Sequence, residues 1–301
     1  MDLRALPGVR AGGFIGFSLF RHAVLIQSSV AVALVFVFAF GTFLRAEVRA
    51  IHSPVDAGEL ASEVVQNELK AQDEDRSLWQ YREVHQKDGK AQLFQVVQTE
   101  EGEVHRLLAV NGQFLSGDER RKEDRRISKV LSDPEDFREK QRNRAHDAEQ
   151  SRKLLELLPR AFLYEYSGTE DGLIKLRFTP NPSFRPANHE SEVFHHMEGM
   201  MWVDRRQRRL TELDGVLVSP VKFWNGLLGH LDKGGTFCVK QRNVGAGHWQ
   251  MTSLDVQMDG KALFFKTIAV REKETNSNFH LLPGGTTLKQ AADFLKIDTA
   301  S

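Results

Sequence analysis

The apolar residues form one long uninterrupted run near the start of the chain and only short runs after it. Between Ala23 and Leu44 no residue is charged, and Arg4, Arg10 and Arg21 precede the run. A long apolar segment behind a basic leader is typical of a secretory signal peptide or a signal anchor. A buried core helix is the alternative, but this run contains few polar side chains. We therefore predict that residues 1–50 are a signal peptide or signal anchor.

If so, residues 51–301 form a single domain outside the cytoplasm. We expect this domain to be periplasmic, either released after cleavage or tethered to the inner membrane by the uncleaved segment. The lone Cys238 fits export, because one cysteine cannot form an internal disulfide.

Beyond residue 51 the pattern predicts one helix and then a series of hairpins. From Asp56 to Gln72, Leu60, Val64 and Leu69 recur on one helical face, and Asp56 can cap the helix. Short aromatic and β-branched runs follow, bounded by Asx-Gly pairs that favour tight hairpin turns. The first runs are Leu78–His85, Ala91–Thr99 and Val104–Val110. The glycine pairs are Asp88-Gly89, Glu101-Gly102, Asn111-Gly112, Asp171-Gly172, Asp214-Gly215 and Asp259-Gly260.

A highly charged segment, Asp118 to Leu158, interrupts the strands. It mixes both signs and is divided by Pro134, so we predict one or two exposed helices as an insert within the domain. Strands then resume at Ala161–Ser167, Leu173–Phe178, Val193–Val203, Leu210–Leu213, Thr236–Val244, Trp249–Met258 and Lys261–Lys273.

Two further helices complete the pattern. A short helix is expected from Val221 to Leu231, and Thr287 with Gln290 has the capping-box spacing for a helix near the C-terminus. The sum is an α+β fold with one antiparallel β-sheet of about ten strands, covered by helices. A sheet of this width has to curl, close or be covered.

Composition narrows the function classes. The 301 residues carry 41 basic and 41 acidic side chains, so no net charge attracts the molecule to nucleic acid. A single cysteine excludes a disulfide scaffold and a multi-cysteine metal site. The chain contains no phosphate loop, no nucleophile elbow and no HExxH motif. We therefore predict neither a cofactor nor an enzymatic activity.

The densest group of candidate ligands is HESEVFHHME, from His189 to Glu198. If a strand begins at Val193, His195 and His196 point to opposite faces, which favours ordinary polar positions over a zinc site. A metallohydrolase built on His189, His195 and His196 is kept as the less favoured alternative.

Two other features have a plain structural interpretation. The basic group Arg205, Arg206, Arg208 and Arg209 is expected at a solvated hairpin tip, with contact to anionic headgroups or a partner protein as the alternative. Cys238 lies in a strand pattern and is expected to be a small buried side chain.

The strands are rich in large, adaptable apolar side chains. They are either the ordinary core or the lining of an apolar cavity for acyl chains, because Met and Trp suit variable apolar ligands. The candidate cavity residues are Trp79, Tyr81, Phe94, Met197, Met201, Trp249, Met251, Phe264 and Ile268.

Two stretches in the last third resemble a known family. GMMWVDRRQRRLTEL, from Gly199 to Leu213, and GKALFFKTIAVRE, from Gly260 to Glu272, are similar to the LolA-like lipoprotein carriers and outer-membrane lipoprotein-sorting proteins. The resemblance implies a periplasmic half-barrel whose mouth is covered by helices and whose apolar cavity receives acyl chains.

The hypothesis is thus a non-enzymatic, monomeric carrier of lipid or acylated lipoprotein. An inner-membrane or outer-membrane protein is a possible partner, and no nucleic acid is expected. The predicted helices at 56–72 and 118–158 are the candidate lids. The alternative is a membrane-anchored envelope sensor or scaffold that binds a protein partner through an exposed apolar patch.

Overall fold

The computed structural model describes residues 55–133, 135–223, 229–262 and 266–297. The predicted signal segment and the candidate residue Phe264 lie outside these ranges. None of the helices within them combines the length and apolarity that a membrane crossing requires.

The described chain contains helices at its start, middle and end. The helices are α1 (Ala57–Glu74), α2 (Gly117–Ser132), α3 (Glu135–Ala161), α4 (His189–Glu192) and α5 (Leu288–Ile297). The strands are β1 (Leu78–Lys87), β2 (Lys90–Thr99), β3 (Gly102–Val110), β4 (Gln113–Phe114), β5 (Phe162–Glu170), β6 (Leu173–Pro180), β7 (Met197–Asp204), β8 (Leu210–Leu217), β9 (Val221–Phe223), β10 (Gly229–Leu231), β11 (Thr236–Gly245), β12 (His248–Ala262) and β13 (Lys266–Leu282).

All thirteen strands of the described ranges belong to one antiparallel sheet. Its order is β4-β3-β2-β1-β13-β12-β11-β8-β7-β6-β5, with β9 and β10 attached beside β12. The sheet is curved and unclosed, with β4 and β5 at its two ends. The predicted α+β class with a curved antiparallel sheet is therefore confirmed. The strands beyond the expected ten are β4, β9 and β10, which have only two or three residues and are too short to show an alternating pattern.

The local signals for the helices are also confirmed. Asp56 caps α1 through Oδ1, which accepts hydrogen bonds from the backbone N–H groups of Gly58 (2.8 Å) and Glu59 (3.3 Å). At α5 the predicted capping box forms, since Gln290 Oε1 accepts from the N–H of Thr287 at 2.8 Å. The charged insert forms α2 and α3 on either side of residue 134.

Three of the Asx-Gly pairs make the expected turns, and two do not. Asp88, Asn111 and Asp171 have φ of 50°, 51° and 51°, each followed by a glycine with positive φ. The prediction is wrong for Asp214-Gly215 and Asp259-Gly260, which lie inside β8 and β12. There the glycine permits close packing instead of a turn: a Cβ on Gly260 would lie 2.2 Å from the carbonyl oxygen of His230.

Two further element predictions are wrong. The stretch from Val221 to Leu231 begins and ends as the strands β9 and β10, not as a helix, because both pair with neighbouring backbone and bury Val221 and Leu231 fully. Residues 193–196 form a 3₁₀ turn after α4, and β7 begins only at Met197.

The helices α1 and α3 cover one face of the sheet, which we call the inner face. Leu60 and Val64 of α1 and Leu155 and Leu158 of α3 pack there in the main core, and each is at most 3% exposed. The opposite face of β2 and β3 packs in a second cluster with α2 and α5. Since Phe137 at the start of α3 belongs to that second cluster, α3 passes from one face to the other.

One row of paired residues shows how the inner face changes across the sheet. The row runs Leu176, Met201, Leu213, Val239, Leu254, Glu274, His85 and Gln92. It is apolar from β6 to β12, where α1 and α3 cover it, and polar from β13 onward. The inner face is therefore a core on one side and a polar surface on the other.

Gly199 in β7 offers a test of this close packing. A Cβ at Gly199 would lie 2.0 Å from the carbonyl oxygen of Asp214 and 2.6 Å from the ring of Phe178. We expect Gly199→Ala to lower the free energy of unfolding by about 1–3 kcal/mol, because the strands must move apart. Chemical denaturation measures the change. Gly284→Ala is the matched control, since nothing lies within 4 Å of its Cβ position; equal losses in both variants would contradict the assignment.

Candidate ligand-binding site

The polar part of the inner face contains a buried group of ionisable side chains, which we call the acidic cluster. Its members are Glu83, His85, Glu103, His105, Glu272 and Glu274. Each of the four glutamates is at most 6% exposed. They come together because residues two apart in β1, β3 and β13 point to the same face. This cluster was not predicted from the sequence, although the spacing Glu-x-His in two strands and Glu-x-Glu in a third was its signal.

Some of these carboxylates are well paired. Glu272 accepts a hydrogen bond from Lys87 Nζ at 2.9 Å and contacts His85 Nε2. Glu274 accepts from the Asn276 side chain at 2.7 Å. Their charges are thereby partly compensated inside the sheet.

Two buried carboxylate oxygens of the acidic cluster accept no hydrogen bond from the described residues. These are Oε2 of Glu83 and Oε2 of Glu103. They face the two ring nitrogens of His105, with Glu83 Oε2 3.5 Å from Nδ1 and Glu103 Oε2 3.6 Å from Nε2. Arg144 of α3 approaches the same point, with Nη1 3.4 Å from His105 Nε2 and 3.9 Å from Glu103 Oε2.

Burial shifts the pKa of these groups towards their neutral forms. Desolvation raises the pKa of Glu103 to about 7 against the pull of Arg144. Desolvation likewise raises the pKa of Glu274 to about 7. Desolvation, and then repulsion by Glu274 and Glu103, raises the pKa of Glu83 well above its usual value. The pKa of His105 lies well below its usual value because of desolvation and the nearby Arg144. Glu103 and Glu274 therefore exchange protons near neutral pH.

A cavity of about 760 Å³ lies beside the acidic cluster. Five segments line it: the end of α1 with residues 72–78, the β2–β3 turn with residues 98–103, α3 with residues 145–152, Gln250 of β12, and Gly284-Gly285 after β13. Glu103 and Gln98 line it. The volume is within the range of about 300–1,000 Å³ that small-molecule sites occupy.

The lining of the cavity mixes charge with short apolar side chains. The residues concerned are Asp73, Asp75, Arg76, Leu78, Glu100, Glu103, Ala145, Ala148, Glu149 and Arg152. Arg152 Nη2 lies 3.1 Å from Asp73 Oδ2, and this ion pair connects α3 to the end of α1. The cavity can thus accept a ligand that has both a polar and an apolar part.

A buried ion pair fixes α1 over the sheet. Glu68 of α1 is 1% exposed and accepts two hydrogen bonds from Arg209, from Nε at 2.7 Å and from Nη2 at 2.9 Å. Its Oε1 also accepts from the backbone N–H of Leu210 at 2.9 Å. The guanidinium of Arg209 lies 5.4 Å from the ring centroid of Trp249. Helix α1 is therefore attached to the start of β8 by a bidentate contact.

The basic group predicted from the sequence has two different roles. Arg205 and Arg206 are exposed at the tip of the β7–β8 hairpin, as expected. Arg208 and Arg209 are half-buried and face α1, where Arg208 Nε lies 3.9 Å from Glu63 Oε2. Contact of this group with headgroups or a partner stays a prediction for Arg205 and Arg206.

The nine candidate cavity residues do not meet in one place. Trp79, Tyr81 and Phe94 pack in a small cluster on the polar side of the inner face. Met197, Met201, Met251 and Ile268 pack in or against the main core, and Trp249 is half-buried, with Nε1 donating to Gln207 at 2.7 Å. None of these eight lines the 760 Å³ cavity, and Phe264 lies outside the described residues. Their contact with a ligand stays a prediction.

Two histidines of the motif, His195 and His196, have different surroundings. His195 packs against Phe184, whereas His196 Nδ1 is 2.7 Å from Ser219 Oγ. Within residues 55–297, apart from the gaps named above, no three His, Cys, Asp or Glu side chains are grouped to hold a metal ion. Cys238 is half-buried and its Sγ donates to Glu212 at 3.5 Å, and burial raises the pKa of this thiol to about 12. A thiol with that pKa is a poor nucleophile.

Comparison with known proteins gives little further information. No protein-family model and no curated protein matches the chain. Among solved structures, a DUF1329 family protein from Desulfovibrio piger is similar over 80% of this chain and 100% of that chain, with a TM-score of 0.28 and 11% sequence identity. A similarity of this degree does not identify a function. The LolA-like resemblance therefore stays a prediction.

The acidic cluster predicts how stability depends on pH. Between about pH 4.5 and pH 7 the folded state binds more protons than the unfolded state, because the folded pKa values of Glu103 and Glu274 are about 7. The contribution of these two carboxyl groups to the free energy of unfolding is present at low pH and is lost as the pH rises through 7. His105 has a lowered pKa, so it makes the folded state less stable in acid. It is one group, whereas the three carboxyl groups of Glu83, Glu103 and Glu274 have raised pKa values. We expect the free energy of unfolding to increase as the pH falls from 8 to 5.5.

Glu103→Gln tests this assignment. Glutamine keeps the acceptor for Gln98 but cannot ionise, so we expect the variant to be more stable at pH 8 and to show a weaker pH dependence. Denaturation curves at several pH values measure both effects, and the difference is on the order of a few kcal/mol. Glu165→Gln, at an exposed position in β5, is the control and should keep the full dependence. Identical pH profiles for the two variants would refute the assignment.

The Glu68–Arg209 pair gives a second prediction. Arg209→Met leaves the buried Glu68 carboxylate without its cation, and we expect a loss of about 3–5 kcal/mol in the free energy of unfolding. Arg206→Met, at the exposed tip, should change it by less than about 0.5 kcal/mol. Adding Glu68→Gln to Arg209→Met should recover part of the loss. If Arg209→Met behaves like Arg206→Met, the ion pair does not hold α1.

Proposed function

We propose that the protein is a non-enzymatic carrier or binding protein of the periplasm that holds lipid or acylated lipoprotein. The observation that carries the proposal is the 760 Å³ cavity where α1, α3 and the β2–β3 turn meet over a curved, unclosed sheet. The long basic and apolar N-terminal sequence supports a location outside the cytoplasm.

The cavity provides an entrance to the seam between the helices and the inner face. An acyl chain entering beside Ala145 and Ala148 would continue between α1 and the sheet, towards Met251 and Met201. These two methionines are 8% and 1% exposed, so the helices have to move to admit a chain. Methionine adapts to variable apolar shapes at little cost.

The energy available from such binding is large. Each CH₂ group removed from water contributes about 0.8 kcal/mol, so a chain of about sixteen carbons could offset a partial displacement of α1 or α3. The lining carries five carboxylates against two cations, Arg76 and Arg152, so a neutral or cationic polar end suits it better than a phosphate or carboxylate. Arg205 and Arg206 at the hairpin tip are candidates for contact with a membrane or a partner protein.

Native mass spectrometry of the gently purified full chain tests the proposal. We expect a co-purifying lipid mass in the native protein and at least a tenfold lower occupancy in Ala148→Trp, because the indole projects into the cavity and obstructs the path of an acyl chain past Ala148. Asn143→Trp is the matched control, since Asn143 is exposed on the same helix and does not line the cavity. Lipid extraction then identifies the ligand class.

Two results would count against this function. One is the absence of lipid from repeated preparations, together with no binding of an added fluorescent fatty acid. The other is equal occupancy in Ala148→Trp and Asn143→Trp, which would place any bound lipid elsewhere.

A further inference from the structure

Helix α3 contacts the acidic cluster directly at the β2–β3 turn. Gln141 Nε2 donates to the backbone carbonyl of Glu103 at 3.5 Å, and a Cβ on Gly102 would lie 2.4 Å from the Gln141 side chain. One turn later, Arg144 reaches His105 and Glu103. Glycine at position 102 thus allows α3 to lie against this turn.

The same helix forms a wall of the cavity. Ala145, Ala148, Glu149 and Arg152 line it, and they follow Arg144 within two helical turns. A displacement of α3 at Arg144 therefore changes the width of the cavity. The contact between Arg144 and the acidic cluster is one of the contacts that hold this wall, together with the Arg152–Asp73 ion pair.

Several charged groups face the contact. From β1 come Glu83 and His85, from β13 come Glu272 and Glu274, and from β3 come Glu103 and His105. Arg126 of α2 donates to the carbonyl of His105, and Lys87 is held by Glu272. Arg144 Nη1 lies 3.9 Å from Glu103 Oε2 and 3.4 Å from His105 Nε2, and α3 itself carries Lys140 and Asp147 within one turn of Arg144.

Protonation of Glu103, His105 or Glu83 weakens the contact. A neutral Glu103 no longer attracts the guanidinium 3.9 Å away. A protonated His105 would place a positive charge 3.4 Å from Arg144 and repel it. Protonation of Glu83 removes a further negative charge from the same pocket. Protonation of Glu103 and Glu83 favours the release of α3 in mild acid, whereas the lowered pKa of His105 confines its repulsion of Arg144 to stronger acid.

The geometry points to a pH-dependent latch in which Glu103, His105 and Arg144 hold α3 over the cavity at neutral and alkaline pH and release it in mild acid. Its role in cargo exchange rests on the proposed function. The latch itself is a property of the protein alone. A pKa of about 7 for Glu103 places the transition in an accessible range.

Distance measurement across the cavity tests the latch. The full chain carries Cys238→Ser and spin labels at Glu100→Cys and Glu149→Cys, two exposed positions on opposite walls. Double electron–electron resonance at pH 8 and pH 5.5, without added lipid, should show a distribution several ångström longer and broader in acid. Glu103→Gln should show the long distribution at both pH values, whereas Glu165→Gln should keep the full response.

Two outcomes would overturn the latch: distances that are the same at both pH values, or a response that Glu103→Gln does not alter. Circular dichroism on each sample shows whether the chain is folded. Native mass spectrometry of the same proteins reports cargo separately. A pH-dependent distance without bound lipid would support the latch and count against the carrier function. Bound lipid with distances that do not change with pH would support the carrier function and count against the latch.

Discussion

The fold depends on how an open sheet buries its inner face. The sheet does not close, so the apolar residues of β5 to β12 require a cover, and α1 with the last turns of α3 provides it. Leu60 and Ala61 of α1 are fully buried, and Glu68 joins the helix to Arg209 at the hairpin. An ion pair in such a position adds little net stability over an apolar pair, but it fixes one orientation of the helix.

The position of the cavity follows from where this cover ends. Helix α1 stops at Glu74, and beyond it the inner face changes from apolar to polar between β12 and β13. Helix α1 has an apolar stripe and cannot pack well on buried carboxylates. The space over the acidic cluster is therefore bordered by α3 and the β2–β3 turn. The hollow therefore lies at the boundary between the two halves of the inner face.

The sequence predicts the elements well and the site poorly, for physical reasons. Alternation, caps and Asx-Gly turns act over a few residues, and so α1, the ten longer strands and the turns at 88, 111 and 171 follow from them. Gly215 and Gly260 mislead because their small size serves packing between strands. The cavity joins residues as far apart in the chain as Gln72 and Gly285, and Glu83 and Glu103 are typical of a solvated strand face until the register places them together.

The two electrostatic effects of acid act on different parts of the molecule. Protons taken up by Glu83, Glu103 and Glu274 relieve repulsion within the sheet, which strengthens the folded state. The same protons remove the charge that attracts Arg144, which weakens only the contact of α3. A wall that opens by this means does so when the sheet is most stable, so access to the inner face does not require partial unfolding. Burying four carboxylates costs folding free energy, and this cost is consistent with a role of the carboxylates in moving α3. An apolar contact at the same place would not respond to pH.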